Sequence, residues 1–186
     1  VDSKKVIDKK MANCLYTGIM TDTGSFRFAS TSQKTFQVAA ALIEAGAKNG
    51  DIYNSVYDDY TEQRLKLLGY CLYEKLVFVP EYKVAYIALS EAELKSFDFK
   101  KGDTEGIVNY ALSVGVMDLS AFFSDKDGAI RISFRSKKFD VNNFARTHFN
   151  GGGHINAAGA KSTLSLNDTV KKFTDLLPQY KSALKK

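Results

Sequence analysis

No tryptophan, two prolines, two cysteines and two histidines occur in these 186 residues. Two cysteines are too few for a disulfide-built fold. Cys14 and Cys71 each fall in an apolar helical pattern, so both are expected as buried free thiols of a reducing compartment, which points to the cytoplasm. His148 and His154 lie far along the chain from the early aspartates Asp2, Asp8 and Asp22, so the sequence spells no compact metal-binding motif. No apolar run approaches a membrane span, and no signal peptide is visible. Repeats and low-complexity tracts are absent. The first residue is Val1 rather than Met, which suggests a fragment or processed product whose upstream portion is missing.

What is present is ordinary for a globular chain: 45% hydrophobic and 25% charged residues. The length suits one domain or two small ones. A net charge of +5 and a pI near 9.0 favour polyanionic partners through long-range attraction. The lysines are dispersed, and only pairs such as Lys137-Lys138 and Lys185-Lys186 cluster, so most read as solvated surface.

Apolar spacing predicts a helix over 4–16, carrying Val6, Ile7, Met11, Cys14 and Leu15 and ended by Thr17-Gly18. A loop over 19–28 should follow. Ser30 to Gln33 has the form of a capping box opening a helix with Phe36, Ala39, Ala40, Leu42 and Ile43, ended at Gly46. A long helix is predicted over 52–74, either a rigid connector or an ordinary core helix. The pattern then changes to period two, with a hairpin over 76–79 and 84–89 around Pro80-Glu81. A short helix over 91–97 and another over 105–114, capped by Asp103-Thr104, precede strands over 116–124 and 129–137. Asp127-Gly128 suits the turn between those strands. Helices over 141–149 and 169–184, the second kinked at Pro178, complete an α/β chain.

Three segments could carry chemistry. The first is Gly151-Gly152-Gly153-His154-Ile155-Asn156-Ala157-Ala158-Gly159-Ala160. Consecutive glycines are costly in backbone entropy and suit close approach to main chain. A glycine turn opening a helix at 154 would aim free N–H groups and a helix dipole at an anion, with His154 beside it. The same run also fits a glycine-rich bend packed on a neighbour. The second is the strand over 129–137, which should bury Ile130, Ile132 and Phe134 and present Arg131, Ser133 and Arg135 on its other face. That face is either a solvated surface or, with Arg135 toward the glycines, a phosphate clamp. The third is Thr21-Asp22-Thr23-Gly24, where a loop carboxylate could meet a hard cation but is not a site alone. His148 reads as packed or solvated, and Phe122 and Phe134 as core rather than stacking platforms.

The run Thr17 to Phe26 resembles the fourth metal-binding motif of the DHH phosphoesterase superfamily. Phe134-Arg135-Ser136 and Gly151-Gly152-Gly153-His154 with Ala157-Ala158-Gly159 resemble its DHHA1 substrate domain, in the right order. The nearest branch is the oligoribonuclease (nanoRNase) and pAp-phosphatase group. The resemblance implies the C-terminal end of a DHH catalytic domain over 1–50, a connector helix over 51–75 and, over 76–186, an α/β DHHA1 domain whose mixed sheet is flanked by helices. It implies a hydrolase using two Mn²⁺ ions, or Mg²⁺, on short oligoribonucleotides or 3'-phosphoadenosine 5'-phosphate (pAp). Asp22 would be a metal ligand. Arg135, Ser136, Gly151, Gly152, Gly153, His154 and Ala157 would bind substrate. A homo-oligomeric parent enzyme is implied too. The superfamily's first three metal motifs are not in these residues, so the chain alone is expected to be inactive, to bind substrate weakly and to expose apolar surface at its catalytic end.

Cyclic dinucleotides and polyphosphate are alternative substrates within the superfamily. A non-catalytic nucleic-acid-binding module is the rival of a different class, since DHHA1 also resembles the C-terminal part of alanyl-tRNA synthetases. Asp22-Thr23-Gly24-Ser25 matches the aspartic-protease signature as well, but helical surroundings and the unexplained glycine run argue against that reading.

Overall fold

The computed structural model describes residues 7–28 and 30–184. The ends of the first predicted helix and of the basic tail therefore lie outside the described residues. The chain divides into two compact units, Val1–Tyr60 and Thr61–Lys186. No helix among the described residues is long and apolar enough to cross a membrane.

The first unit is helical: α1 (Lys9–Asp22), α2 (Gln33–Glu44) and α3 (Asn49–Tyr57). Helix α1 runs past Gly18 to Asp22, so part of the predicted loop is helical. The Asp8 carboxylate starts it by accepting from the Met11 N–H. The capping box of α2 is Ser32 with Thr35, two residues beyond the predicted one. The core buries Ala12, Tyr16, Met20, Ala39 and Leu42. Met11, Leu15, Phe36 and Ile43, predicted as core, stay exposed, as does Cys14. Each helix thus carries a second apolar stripe that the described residues leave uncovered, the exposed surface expected from the sequence.

The predicted helix over 52–74 is interrupted. Residues 58–61 are not helical, and the Thr61 hydroxyl caps a new helix, α4 (Glu62–Tyr70), by accepting from the Arg64 N–H. A π-turn over Cys71–Lys75 follows. Both belong to the second unit.

A six-stranded mixed sheet in the order β1-β2-β3-β4-β6-β5 organises the second unit. Its strands are β1 (Leu76–Val79), β2 (Val84–Leu89), β3 (Leu119–Lys126), β4 (Ala129–Ser136), β5 (Asn150–His154) and β6 (Ala157–Ser162). Only the β2–β3 pair is parallel. Its crossover carries α5 (Glu91–Ser96) and α6 (Ile107–Tyr110). Helix α6 is shorter than predicted. The Asp103 carboxylate accepts from the Lys100 N–H instead of capping it, and Gly106, at φ 84°, opens it.

One face of the sheet packs against α7 (Val141–His148), α8 (Leu166–Leu176) and α9 (Lys181–Leu184). Its centre is the aromatic cluster Phe123, Phe134, Phe144 and Phe173. On the other face, α4, α5 and α6 bury Ile87, Leu89 and Phe122 beneath Leu67, Leu94, Ile107 and Val108. That cover stops short of β6 and β5 and leaves one side of the β4-β6-β5 region open.

The crossover layer is tied to the sheet at Glu93. Its carboxylate accepts from the Tyr70 hydroxyl (2.6 Å), the Ser90 N–H (2.8 Å) and the Lys75 ammonium (2.8 Å). Desolvation pushes the acid up, but the bonds from Lys75, Tyr70 and Ser90 outweigh it and hold the carboxyl at about 2. The same bond raises the Tyr70 hydroxyl to about 12. A carboxyl depressed in the folded state stabilises above its unfolded pKa, and that stability is lost as pH falls toward the folded value. Glu93→Gln should therefore cost about 1 kcal/mol at pH 7. The difference from wild type in urea denaturation should shrink between pH 4.5 and about 2.

Candidate functional site

The triple glycine does not lead into a helix. It forms β5, which turns at Ile155-Asn156 and returns as β6. Residues 157–162 alternate between exposed and buried, Ala158, Ala160 and Ser162 facing the core. Period-two burial against β4 overrides the helical preference of the alanines. The glycine run therefore opens no helix of its own. The N–H of Gly153 is already used, donating to the Asn142 side chain at 2.9 Å.

The glycines have separate reasons. A Cβ at Gly151 would lie 2.4 Å from the Gly159 carbonyl oxygen, and one at Gly153 would lie 2.4 Å from that of Ala157. Both positions are closed by the neighbouring strand, so these glycines serve packing. A Cβ at Gly152 would meet the Arg146 guanidinium at 3.3–3.5 Å. A Cβ at Gly159 would meet nothing nearer than the Ile132 oxygen at 3.9 Å, so this floor position is open.

Register places the predicted residues. Arg135 pairs with Ala157, and Ala157 pairs with His154. Directly paired residues share a sheet face. Arg135, Ala157 and His154 therefore form one row on the open face, with the outer strands about 10 Å apart at twice the interstrand spacing. The next row is Ser133, Gly159 and Gly152, and the third is Arg131, Lys161 and Asn150. The result is a bare floor with cations at both ends.

Arg135 is half-buried, and its guanidinium donates to the Phe134 carbonyl at 2.9 Å. Burial lowers its pKa, yet a guanidinium stays charged. Among the described residues no carboxylate pairs with Arg131, Arg135, Arg146 or Lys161. The arrangement is suited to a phosphate or another oxyanion.

Ser136 is not on this face. It is buried on the covered side, where its hydroxyl donates to the Phe139 carbonyl (2.5 Å) and accepts from Asn156 (3.1 Å). The Ile155 and Asn156 carbonyls accept from the Val141 and Ser136 N–H groups, which pins the turn next to His154. Ser136 thus supports the site from behind. His148 packs on Phe144 and bonds the Tyr180 hydroxyl at 2.6 Å, and burial together with Lys172 lowers its pKa.

Sequence reasoning missed Arg146 and Asn142. One helical turn apart on α7, they meet β5: Asn142 accepts from both the Arg146 Nε (3.0 Å) and the Gly153 N–H. Their i,i+4 spacing beside the glycine strand was the available signal. Lys161, the partner of Arg131, becomes visible only once β6 is known as a strand.

In the first unit Asp22 is the exposed last residue of α1. The chain then makes a left-handed turn, with Gly24, Ser25 and Phe26 at φ 57°, 59° and 66°. Such φ values cost about 1 kcal/mol or more for each non-glycine residue. The Thr23 hydroxyl holds the turn by donating to the Ile19 carbonyl and accepting from the Phe26 N–H. No group of three or more His, Cys, Asp or Glu side chains able to hold a metal exists among the described residues. The residues present do not by themselves fit the two-ion centre that the resemblance implies.

The DHHA1 domain family matches residues 81–186. The bifunctional oligoribonuclease and PAP phosphatase NrnA of Bacillus subtilis is 30% identical over 91% of this chain and 53% of its own length. A probable NrnA of Streptococcus mutans is 31% identical over 88% of this chain and 52% of its own. The crystal structure of an exopolyphosphatase-related protein from Bacteroides fragilis matches 97% of this chain and 53% of that one, at 40% identity and a TM-score of 0.93. The chain spans about half the length of the curated relatives it matches.

The glycine geometry separates fold from site. Gly151→Ala and Gly153→Ala should each destabilise by about 2 kcal/mol or more, because the new methyl meets backbone. Gly159→Ala should leave the urea midpoint nearly unchanged, since its Cβ has room.

Proposed function

The chain belongs to the DHHA1 domain family, and from that premise we propose that it is part of a phosphoesterase that hydrolyses short oligonucleotides and pAp, with the open sheet face of the second unit gripping the substrate phosphate. One observation carries this reading: half-buried Arg135 has no carboxylate partner among the described residues and shares a row with His154 above a floor of alanine and glycine. A buried cation without a counter-ion is costly, and a bound phosphate would supply one. The names of the Bacillus and Streptococcus relatives support oligoribonucleotides and pAp as substrates.

In this reading Arg135 offers a forked donor to the phosphate, and His154 offers a ring nitrogen to a phosphate or sugar oxygen. Arg146, held by Asn142 beside Gly152, lies where a ribose or base would rest. Ser136 holds the turn that carries His154 in place. If the whole enzyme uses two Mn²⁺ or Mg²⁺ ions, this chain contributes Asp22, and the other ligands are not among its described residues.

Binding of pAp to the 186-residue chain, followed by calorimetry, tests the reading. Arg135→Ala and His154→Ala should each lose about 1.5–3 kcal/mol of binding free energy. Gly159→Ala should weaken binding by intruding on the floor while sparing stability. Unchanged affinity in both the Arg135 and the His154 variant overturns the assignment. The isolated chain should bind pAp without releasing phosphate in Mn²⁺, as measured by phosphate assay.

A further inference from the structure

The two edges of the sheet are finished differently. At one, β5 lies against α7, where the Asn142 side chain takes the Gly153 N–H. At the other, β1 pairs with β2 alone, and no strand among the described residues takes its outer side. Exposed edges are usually blunted by a charge, a proline or a bulge. The four residues Leu76–Val79 contain neither charge nor proline, and their register with β2 is unbroken. Val77 and Phe78 are both exposed there.

Backbone direction follows from the neighbouring strands. The Lys83 carbonyl accepts from the Asp118 and Leu119 N–H groups, so it faces β3. The Val84 N–H, on the opposite side of the same peptide, faces β1, as does that of Tyr86 two residues on. Their partners Val79 and Val77 therefore turn their polar groups inward, and Phe78 between them turns its N–H and C=O outward. Apolar side chains stand at this edge on both faces. Phe78 shares the face of its partner Ala85, which packs with Leu76, Ala111 and Met117 next to exposed Val114 and Val116. Val77, on the other face, lines a cleft of about 400 Å³ with Tyr86, Ala88 and Val170 of α8.

We infer that β1 is a dimerisation edge, on which a second copy of this chain pairs antiparallel about a two-fold axis at Phe78. On that axis Phe78 and the partner's Phe78 exchange both N–H···O=C bonds, and their rings lie side by side. Val77 comes beside the partner's Val79. Lys75, just before the strand, comes toward the partner's Glu81, just after it, so opposite charges meet at both ends. A one-residue slip sets Phe78 against a residue whose polar groups are turned inward and loses both bonds. A second copy supplies this complement by symmetry, whereas an unrelated strand has to match the apolar pair and both flanking charges independently. The contact is isologous, so it closes at two copies and leaves no edge to recruit a third.

Sedimentation of the full 186-residue chain over a concentration series should show a monomer–dimer equilibrium that stops at two copies. Phe78→Lys, which sets a charge on the edge, should raise the dimer dissociation constant about ten-fold or more. Leu15→Lys, on the uncovered stripe of the first unit, should leave it unchanged. Amide hydrogen exchange on the unmodified chain gives a second readout that does not depend on a variant folding. The Phe78 N–H should exchange more slowly as concentration rises, while those of Val77 and Val79, already bonded to β2, should be protected throughout. A chain that stays monomeric, or that grows beyond two copies, overturns the inference. So does a dimer that Phe78→Lys leaves intact, one that Leu15→Lys weakens as much, or a Phe78 N–H whose exchange ignores concentration.

Discussion

The close approach of β5 to β6 is the contact on which the open face depends. At Gly151 and Gly153 the neighbouring main chain occupies the space where a side chain would begin. With hydrogen atoms there instead, β5 can pair with β6 from Asn150↔Lys161 to His154↔Ala157. That register brings His154 into line with Arg135 two strands away. It also sets the outer edge of β5 against α7, where Asn142 takes the Gly153 N–H and steadies Arg146. A one-residue slip would turn His154 to the other face. The glycines therefore act on the site through strand position, and only Gly152 and Gly159 contribute floor.

Charge is distributed in keeping with this. Several lysines elsewhere find carboxylates: Lys66 with Glu62, Lys95 with Glu91, Lys75 with Glu93, Lys181 with Glu81. Arg131, Arg135 and Lys161 on the open face, and Arg146 at its β5 edge, have no acidic partner among the described residues. Like charges gathered on one surface repel and contribute nothing to folding. Stability comes from the covered face, where Phe123, Phe134, Phe144 and Phe173 pack edge to face. One strand serves both ends: β4 buries Phe134 in that cluster and sends Arg135 to the other side.

The alternation of β4 was legible in the sequence because burial on one face leaves a period of two. The hairpin at Asp127-Gly128 and the helix before the glycines were legible for similarly local reasons. The glycine segment reads from sequence as the start of a helix or as a packed bend, and it is instead a strand. Alanine favours helices, and the competing interaction, pairing with β4 and β5, is long-range and leaves only a weak alternation of small residues. The predicted helix over 52–74 failed at residues 58–61, where the apolar stripe continues in the sequence while Thr61 opens a fresh helix. The buried side of α1 was missed because two stripes compete. Ala12, Tyr16 and Met20 face the local core, while Met11 and Leu15 form an equally apolar stripe that nothing in the described unit covers. The family resemblance implies a substrate role for Ser136, but adjacent strand residues face opposite ways, and Ser136 is buried on the covered face.

The two functional segments hold their side chains by different physics. On the sheet, three antiparallel strands and a pinned turn fix Arg135, Ala157 and His154, so that face is ordered before any ligand arrives. Little reorganisation is then needed on binding, which conserves affinity. Asp22 sits instead at a helix end, followed by a left-handed turn that includes two non-glycine residues. The aromatic stack of Phe26 on Phe36 and of Tyr16 against Phe26 holds that turn in its disfavoured conformation. Backbone strain maintained by packing next to an exposed carboxylate is an arrangement that local folding energy alone does not select. A divalent ion would reward a fixed carboxylate there, but one carboxylate cannot saturate it. Asp22 is thus placed by packing that overrides backbone preference, whereas Arg135, Ala157 and His154 are placed by strand pairing.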